Sequence, residues 1–262
     1  MFVEGSLLAD HFLIGAALLI AASFIAGFID SIAGGAGLVL IPSFILAGLP
    51  TQLALGQEKL VSTLGTLSAI RTFHRSGVIV WSFVAVGVPA ALLGAYVGAR
   101  AILYLDEETA GKIVALLLPV ALMIFLIPRT QRTEEGGSAV SDFNRKVLFP
   151  LLAFGIGFYD GFFGPGTGTL LILAMHLVMG LSLVAASATS KLFNLASNVG
   201  AFIAFALAGK MLWGLGVPMI AASMAGNHLG SRMTLSRGDR LIRPILLTMM
   251  ILLTGTLMAK YF

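Results

Sequence analysis

Long stretches without a charged residue constrain this chain more than any other feature. Five of them each approach or exceed the roughly 17–25 apolar residues that a helix needs to cross a lipid bilayer. They cover 12–29, 31–57, 78–99, 192–209 and 211–227. Because so many segments qualify, the sequence predicts an all-α, polytopic membrane protein.

The composition leaves little room for a soluble domain. Charged residues make up only 11% of the 262 residues, whereas about 25% is usual in soluble domains. The net charge of +4 comes from basic residues in short loops, a pattern that sets membrane orientation and does not indicate nucleic-acid binding. There is no cysteine, which excludes disulfides and thiolate metal sites. We therefore expect the lipid bilayer as a partner, no nucleic acid, and neither a metal nor a cofactor.

One motif occurs twice, once in each half of the chain. Its first copy, GFIDSIAGGAG, spans Gly27–Gly37, and its second, GFYDGFFGPGT, spans Gly157–Thr167. Each copy places one aspartate and several helix-breaking residues within an apolar stretch. Three further pairs match, and all three share one spacing along the chain: Lys59 and Lys191, Trp81 and Trp213, and Arg100 and Arg232. Ordered matches of this kind indicate an internal duplication.

A long polar stretch divides the chain into the two halves. We predict a first transmembrane repeat at 1–128, a polar cytoplasmic linker at 129–146 and a second transmembrane repeat at 147–262. Each half contains about five hydrophobic segments. In the first half they are 12–29, 38–49, 53–73, 78–99 and 113–128, and in the second 147–159, 168–182, 185–208, 211–230 and 244–259. Segments 38–49 and 147–159 are too short to span comfortably, so we expect short broken or re-entrant helices there.

The basic loops fall at non-equivalent places in the two halves. Loop 71–77 carries two arginines and a histidine, and loop 232–243 carries four arginines, so both are predicted to face the cytoplasm. This placement predicts two inverted-topology repeats, an arrangement typical of secondary transporters, whose binding site lies at the repeat interface near the membrane midplane. Both termini are then expected on the periplasmic side.

Three acidic residues are candidates for proton coupling. Asp30 and Asp160 lie in the duplicated motif, and Glu58 lies beside Lys59 in an apolar segment. An ionised carboxylate is costly inside a bilayer and usually faces a cavity or a partner. The interpretation as proton carriers or polar gates competes with a structural one for the two aspartates, in which each caps the start of a new helix.

Two lysines and their polar neighbours are candidates for binding an anionic substrate. Lys59 and Lys191 lie well inside apolar segments, so each ammonium needs a counter-charge from a substrate or from an acidic side chain. The neighbours with the same predicted role are Ser62, Ser190, Asn194 and Asn198. Hydrogen bonding between helices is the alternative role for these neighbours, and a structural ion pair with an aspartate is the alternative for the lysines.

Glycines of the repeated motif complete the predicted substrate site. Gly34 and Gly35, and in the second copy Gly164 and Gly166, are expected to break helices at membrane depth. Such backbone is tolerated only where it lines a cavity or is buried in protein, and the start of a helix exposes N–H groups that bind anions. Close helix packing through small residues is the alternative.

The paired motifs resemble those of the sulfite exporter TauE/SafE family of bacterial membrane proteins. The resemblance is carried by AGFIDSIAGG at Ala26–Gly35, GFYDGFFGP at Gly157–Pro165 and KLFN at Lys191–Asn194, and it extends over nearly the whole chain. It implies a multi-pass permease of the bacterial inner membrane for small sulfur-containing anions such as sulfite, sulfonates or sulfoacetate. Family members often have asparagine where this chain has Glu58.

Together these features predict a secondary transporter that exports a small anion with proton coupling. Two alternatives stay open: a passive, channel-like anion permease, and a membrane assembly factor that transports nothing. No nucleophile–base set is recognisable, so we do not expect an enzyme. A homodimer is compatible with the sequence.

Overall fold

The computed structural model describes residues 2–106 and 147–238, together with 109, 143, 240–242, 244, 245 and 248. Within these residues every regular element is helical: α1 (Leu7–Asp10), α2 (Phe12–Ala33), α3 (Ala36–Leu46), α4 (Thr51–Ser76), α5 (Val84–Leu103), α6 (Phe149–Phe162), α7 (Thr167–Leu173), α8 (Leu183–Leu207) and α9 (Trp213–Arg237). A 3-10 turn (Trp81–Phe83) precedes α5, and a π-helical turn (Ala174–Val178) continues α7. The predicted segment 113–128, almost all of the linker 129–146 and most of segment 244–259 lie outside the described residues.

The predicted all-helical membrane fold is confirmed in outline. Among the described residues, α2, α5 and α8 are long and apolar enough to cross a membrane. The shorter apolar helices include α3 and α6, which are the short helices expected from segments 38–49 and 147–159. With 26 and 25 residues, α4 and α9 also match a bilayer in length, because each residue adds about 1.5 Å. Like α8, both carry several buried polar side chains.

Close contacts at glycines fix the relative directions of three helices. The contact pairs advance in step along α2 and α9 and along α4 and α9, so these three helices run in the same direction. The pairs are Phe24 with Gly226, Phe28 with Gly230, Leu60 with Gly216, and Gly65 with Ser223. Because α4 and α9 are parallel, the arginines near their C-terminal ends lie at the same end of the bundle.

The helices α5, α6 and α8 form a second parallel set. Their contact pairs are Gly94 with Phe154, Gly98 with Phe158, Gly87 with Phe193, and Gly200 with Leu92. The two sets join where α4 packs on α8. There Gly56 meets Phe205, while Phe73 near the other end of α4 packs with Ala188 near the start of α8. These contacts make α4 and α8 antiparallel, so the second set runs opposite to the first.

A side chain from each half binds the backbone at the entry to a helix of the other half. Gln57 on α4 accepts a hydrogen bond from Leu212 N (2.9 Å) and donates one to Leu212 O (3.3 Å), just before α9. Thr189 on α8 accepts one from Val80 N (3.0 Å), shortly before α5. The spacing of the repeat makes Thr189 the counterpart of Gln57 and Val80 the counterpart of Leu212, so the two contacts occupy matching places in the halves.

Two helical hairpins meet tip to tip inside the bundle. The first turns at Gly34, whose φ of +68° favours glycine, and α3 returns until Gly48 O accepts a hydrogen bond from Val3 N (2.9 Å), ahead of α2. The second hairpin consists of α6 and α7 with the turn 163–166 between them. The tips touch where Thr169 Oγ1 donates a hydrogen bond to Gly34 O (2.7 Å). Broken backbone from both halves is therefore brought to one place.

Candidate functional site

A small polar cavity lies where the hairpin tips meet α4 and α8. Three carboxylates line it, those of Asp30, Glu58 and Asp160. Five more predicted residues form part of its wall: Gly35, Ser62, Gly164, Asn194 and Asn198. The structure therefore brings most of the predicted site residues together, from both halves of the chain, although their roles stay predictions.

Lys59 forms an ion cluster at this cavity. Its Nζ lies 2.6 Å from Asp160 Oδ1 and 3.0 Å from Glu58 Oε2. Asn198 Oδ1 accepts a third contact from the same ammonium at 3.2 Å. Asp160 uses its other oxygen to accept a hydrogen bond from Ser197 Oγ (2.6 Å). A lysine of the first half is thus held by groups of both halves.

Lys191 forms the reciprocal ion pair with Asp30. Its Nζ lies 3.0 Å from Asp30 Oδ2 and also donates a hydrogen bond to the backbone carbonyl of Asp30. Asp30 Oδ1 accepts a hydrogen bond from Gly35 N (3.1 Å), the residue directly before α3. The carboxylate of Asp30 therefore pairs with a lysine, one of the alternatives drawn from the sequence. It also accepts a hydrogen bond from the residue that precedes α3, although it lies within α2 and is not itself the N-cap residue of α3.

The second aspartate makes no matching contact with the backbone that follows it. Pro165 occupies the position in the second motif that Gly35 occupies in the first. Proline has no backbone N–H, so Asp160 cannot receive the hydrogen bond that Asp30 receives. The oxygen of Asp160 that does not bind Lys59 is satisfied by Ser197 instead. One residue difference between the motifs thus gives the two aspartates different surroundings.

Five predicted residues do not line the cavity: Lys59, Lys191, Gly34, Gly166 and Ser190. The lysine ammonium groups bind the carboxylates that do line it. Gly34 packs against the backbone of Gly168, and Gly166 directly precedes α7. Ser190 Oγ donates a hydrogen bond to Ser187 O (2.8 Å) within its own helix, so in this structure it makes a local contact.

Four residues outside the predicted set complete the cavity wall: Ala36, Gly37, Thr167 and Gly168. All four follow the predicted glycines of the repeated motif, in the first turns of α3 and α7. The glycine-rich runs of the two halves were the signal for these residues. Gly37 and Gly168 break helices like the predicted glycines, and Ala36 and Thr167 directly precede them.

The charged groups of the site are deeply buried and unequal in number. The two lysines and the three acids are each at most 3% exposed. A buried charge without a partner costs several kcal/mol, which explains why the ammonium and carboxylate groups are in contact. Within the described residues no group of three or more histidine, aspartate or glutamate side chains is placed to hold a metal ion. The charged chemistry that the structure shows at this site is that of two lysine–carboxylate clusters.

Comparison with known proteins places the chain among membrane transporters. Residues 19–257 match the family described as Sulfite exporter TauE/SafE. A probable membrane transporter protein of Haemophilus influenzae is 36% identical over 250 residues, which are 91% of this chain and 92% of the relative. The probable membrane transporter protein YfcA of Escherichia coli K12 is 35% identical, over 91% of this chain and 86% of its own length. No solved structure matches the chain.

Proposed function

Because the chain belongs to the sulfite exporter TauE/SafE family and is a membrane transporter, we propose that it exports a small anion of the sulfite, sulfonate or sulfoacetate class with proton coupling. The observation that carries this proposal is the central cavity, where two buried lysine–carboxylate clusters meet between broken helices. Sites of this construction, near the midplane and between repeats, are typical of secondary transporters.

The proposed anion site lies between the two lysine clusters. An entering oxyanion would replace a carboxylate oxygen as the partner of Lys59 or Lys191, so that no ammonium is left unpaired. Asn198 Nδ2 donates only a long hydrogen bond of 3.4 Å to Asn194 Oδ1, and a substrate oxygen would offer it a better acceptor. The N-terminal end of α3 reaches the same cavity and supports negative charge there through its dipole.

Displacement of a carboxylate provides the proposed link to protons. When an anion takes the place of Asp30, Asp160 or Glu58 beside a lysine, that carboxylate stays buried without its cation. Burial without a counter-charge favours the neutral form of an acid. Anion entry and proton binding would therefore occur together, and anion release would return the proton.

We further propose that the two halves are inverted repeats in the membrane. The antiparallel contact of α4 with α8 supports this orientation, since these helices carry the matching lysines. The matching contacts of Gln57 and Thr189 support it as well. The arginine-bearing ends of α4 and α9 would face the cytoplasm.

Single cysteines test the inverted arrangement directly, because the natural chain has none. Ser76→Cys at the end of α4 and Ala208→Cys at the end of α8 mark positions that the spacing of the repeat makes equivalent. In intact cells we expect a membrane-impermeant maleimide to label the variant at 208 and to label the variant at 76 only after permeabilisation. Labelling of both from the same side would contradict the inverted arrangement.

Anion transport itself is tested with purified protein. We expect sulfite or sulfoacetate to raise the melting temperature, because RT ln(1 + [L]/Kd) gives about 2.7 kcal/mol at a ligand concentration of one hundred times Kd. Sodium chloride at equal ionic strength is the control. In proteoliposomes, efflux of labelled sulfoacetate should change with an imposed pH gradient.

The other outcomes identify the alternative functions. Efflux that is saturable but independent of the pH gradient would favour a passive, channel-like permease. Absence of any stabilisation by sulfite, sulfoacetate, taurine and simple carboxylates, together with absence of efflux, would contradict transport of these anions and favour an assembly factor.

A further inference from the structure

We propose that Glu58 carries the coupled proton and that one proton enters the site with each anion. This inference rests on the proposed function of the cavity. Three carboxylates line that cavity, and the inference assigns proton binding and release to one of them. The assignment follows from the number of charges, from the partners of each acid and from the difference between the two halves.

The number of charges leaves one acid in excess. Lys191 pairs with Asp30, and Lys59 contacts both Asp160 and Glu58. With all five groups ionised, two positive and three negative charges leave one net negative charge in a buried site. Such a site repels an anion. Binding of one proton by one carboxylate makes the cluster neutral before the anion enters.

The partners of each acid indicate which carboxylate is the excess one. Asp30 binds Lys191 and the backbone N–H of Gly35, and each oxygen of Asp160 accepts a short hydrogen bond. Glu58 accepts a hydrogen bond from Ser62 Oγ on Oε1 (2.7 Å), whereas the one partner of its Oε2 among the described residues is Lys59 Nζ, at 3.0 Å, which also binds Asp160. This Oε2 belongs to a side chain that is 3% exposed and lines the cavity. A proton on this oxygen would give up only the contact with Lys59, which keeps its shorter contact with Asp160 (2.6 Å).

The first half alone carries the additional acid. Ser190 occupies the position in the second half that is equivalent to Glu58, and its hydroxyl bonds within its own helix. Lys191 therefore has a single carboxylate partner among the described residues, and it is also held by the carbonyl of Asp30. The second cluster thus has one cation for one anion and no spare site for a proton, whereas the first cluster has two acids for one cation.

The charged groups around Glu58 are compatible with its protonation. Lys59 faces it from α4 and Asp160 from α6, and Asp30 lies across the cavity on α2. From α8 come the neutral amides of Asn194 and Asn198, together with Lys191, which pairs with Asp30. Protonation of Glu58 leaves Lys59 with Asp160 as its ionised partner, so no ammonium is stranded. A doubly charged anion that leaves with this proton still moves one net negative charge outward, which an inside-negative membrane potential favours.

Calorimetry of the full-length protein with sulfoacetate tests the proposal. Sulfoacetate is fully ionised between pH 7 and 8.5, so protons taken up on binding belong to the protein. Titrations in buffers of different ionisation enthalpy should give about one proton per bound anion for the natural chain. Its affinity should strengthen by up to tenfold for each unit of falling pH, the limit set by linkage to one proton.

Two variants of Glu58 distinguish the effect of its carboxyl group from that of its side-chain size. Glu58→Gln should bind sulfoacetate with affinity that changes less than twofold with pH and without proton uptake, because its amide mimics the protonated acid. Glu58→Asp should retain proton uptake. Proton uptake by Glu58→Gln, or none by Glu58→Asp or by the natural chain, would overturn the assignment while leaving anion binding intact. A natural chain that binds none of sulfite, sulfoacetate and taurine would instead overturn the proposed function, and the inference with it.

Discussion

Replacement of Lys191 with methionine is expected to abolish anion transport and to lower stability by about 3–5 kcal/mol. Removal of one partner of a buried ion pair leaves the other charge uncompensated, and this cost is typical of such changes. Here the remaining charge is Asp30, which is 3% exposed. Methionine keeps most of the length and apolar volume of the lysine, so loss of packing contributes little. Thermal unfolding in detergent and sulfoacetate efflux from proteoliposomes measure the two effects.

A double variant distinguishes the structural role of Lys191 from its role in transport. Asp30→Asn with Lys191→Met removes both charges, and we expect it to recover most of the lost stability because neither charge is left unpaired. Transport should stay absent, since the anion has lost one of its two cations. Recovery of transport together with stability would show that Lys191 serves only the fold, and the proposed anion site would then lie elsewhere.

Replacement of Gly34 with alanine is expected to separate the hairpin tips and to lower stability by about 2–6 kcal/mol. A backbone at φ +68° and ψ 119° lies outside the regions that other residues adopt and costs an alanine about 1–3 kcal/mol, and forcing extra atoms into a packed interior adds about 1–3 kcal/mol. The added Cβ would lie against the backbone of Gly168 and 2.7 Å from Thr169 N. Backbone atoms on both sides cannot move without displacing a hairpin, so the cavity between the tips should be disrupted and efflux lost.

Gly77→Ala provides a control at a second glycine with positive φ. Gly77 ends α4 at φ +72° and ψ 9°, in the left-handed helical region, and a Cβ there would meet nothing within 4 Å. Only the conformational cost of about 1–2 kcal/mol applies, and efflux should continue. Equal effects of the two substitutions in melting temperature and efflux would contradict the importance of the contact between the tips.

The repeat made much of the fold and site predictable. Lys59 and Lys191 are separated by the same number of residues as other matching pairs, and this spacing identified equivalent helices. The glycines after Asp30 identified the break between α2 and α3. These features are local, because a carboxylate or a helix-breaking glycine in an apolar segment is unusual wherever the rest of the chain lies. Eight of the thirteen predicted site residues line one cavity for this reason.

Pairing between the halves could not be predicted from the same features. Each lysine had two candidate aspartates, and only the packing of α4 on α8 selects Asp160 for Lys59 and Asp30 for Lys191. The contact of Gln57 with the residue before α9 could not be predicted either. The residue equivalent to Gln57 in the second half is Thr189, so the two halves are not identical at this position. Non-local packing decides such contacts, and one sequence contains no record of it.

The contact of α2 with α9 joins helices that are synthesised far apart in time. Gly27 packs against Ser223, and most of the chain lies between them. At about 5–20 residues per second, synthesis of this stretch takes roughly 10–40 s. During that interval the ribosome has delivered α2, but its permanent neighbour does not yet exist. The nascent first half therefore waits in the membrane with the face of α2 that will contact α9 uncovered, and Asp30 stays without Lys191 until the second half emerges.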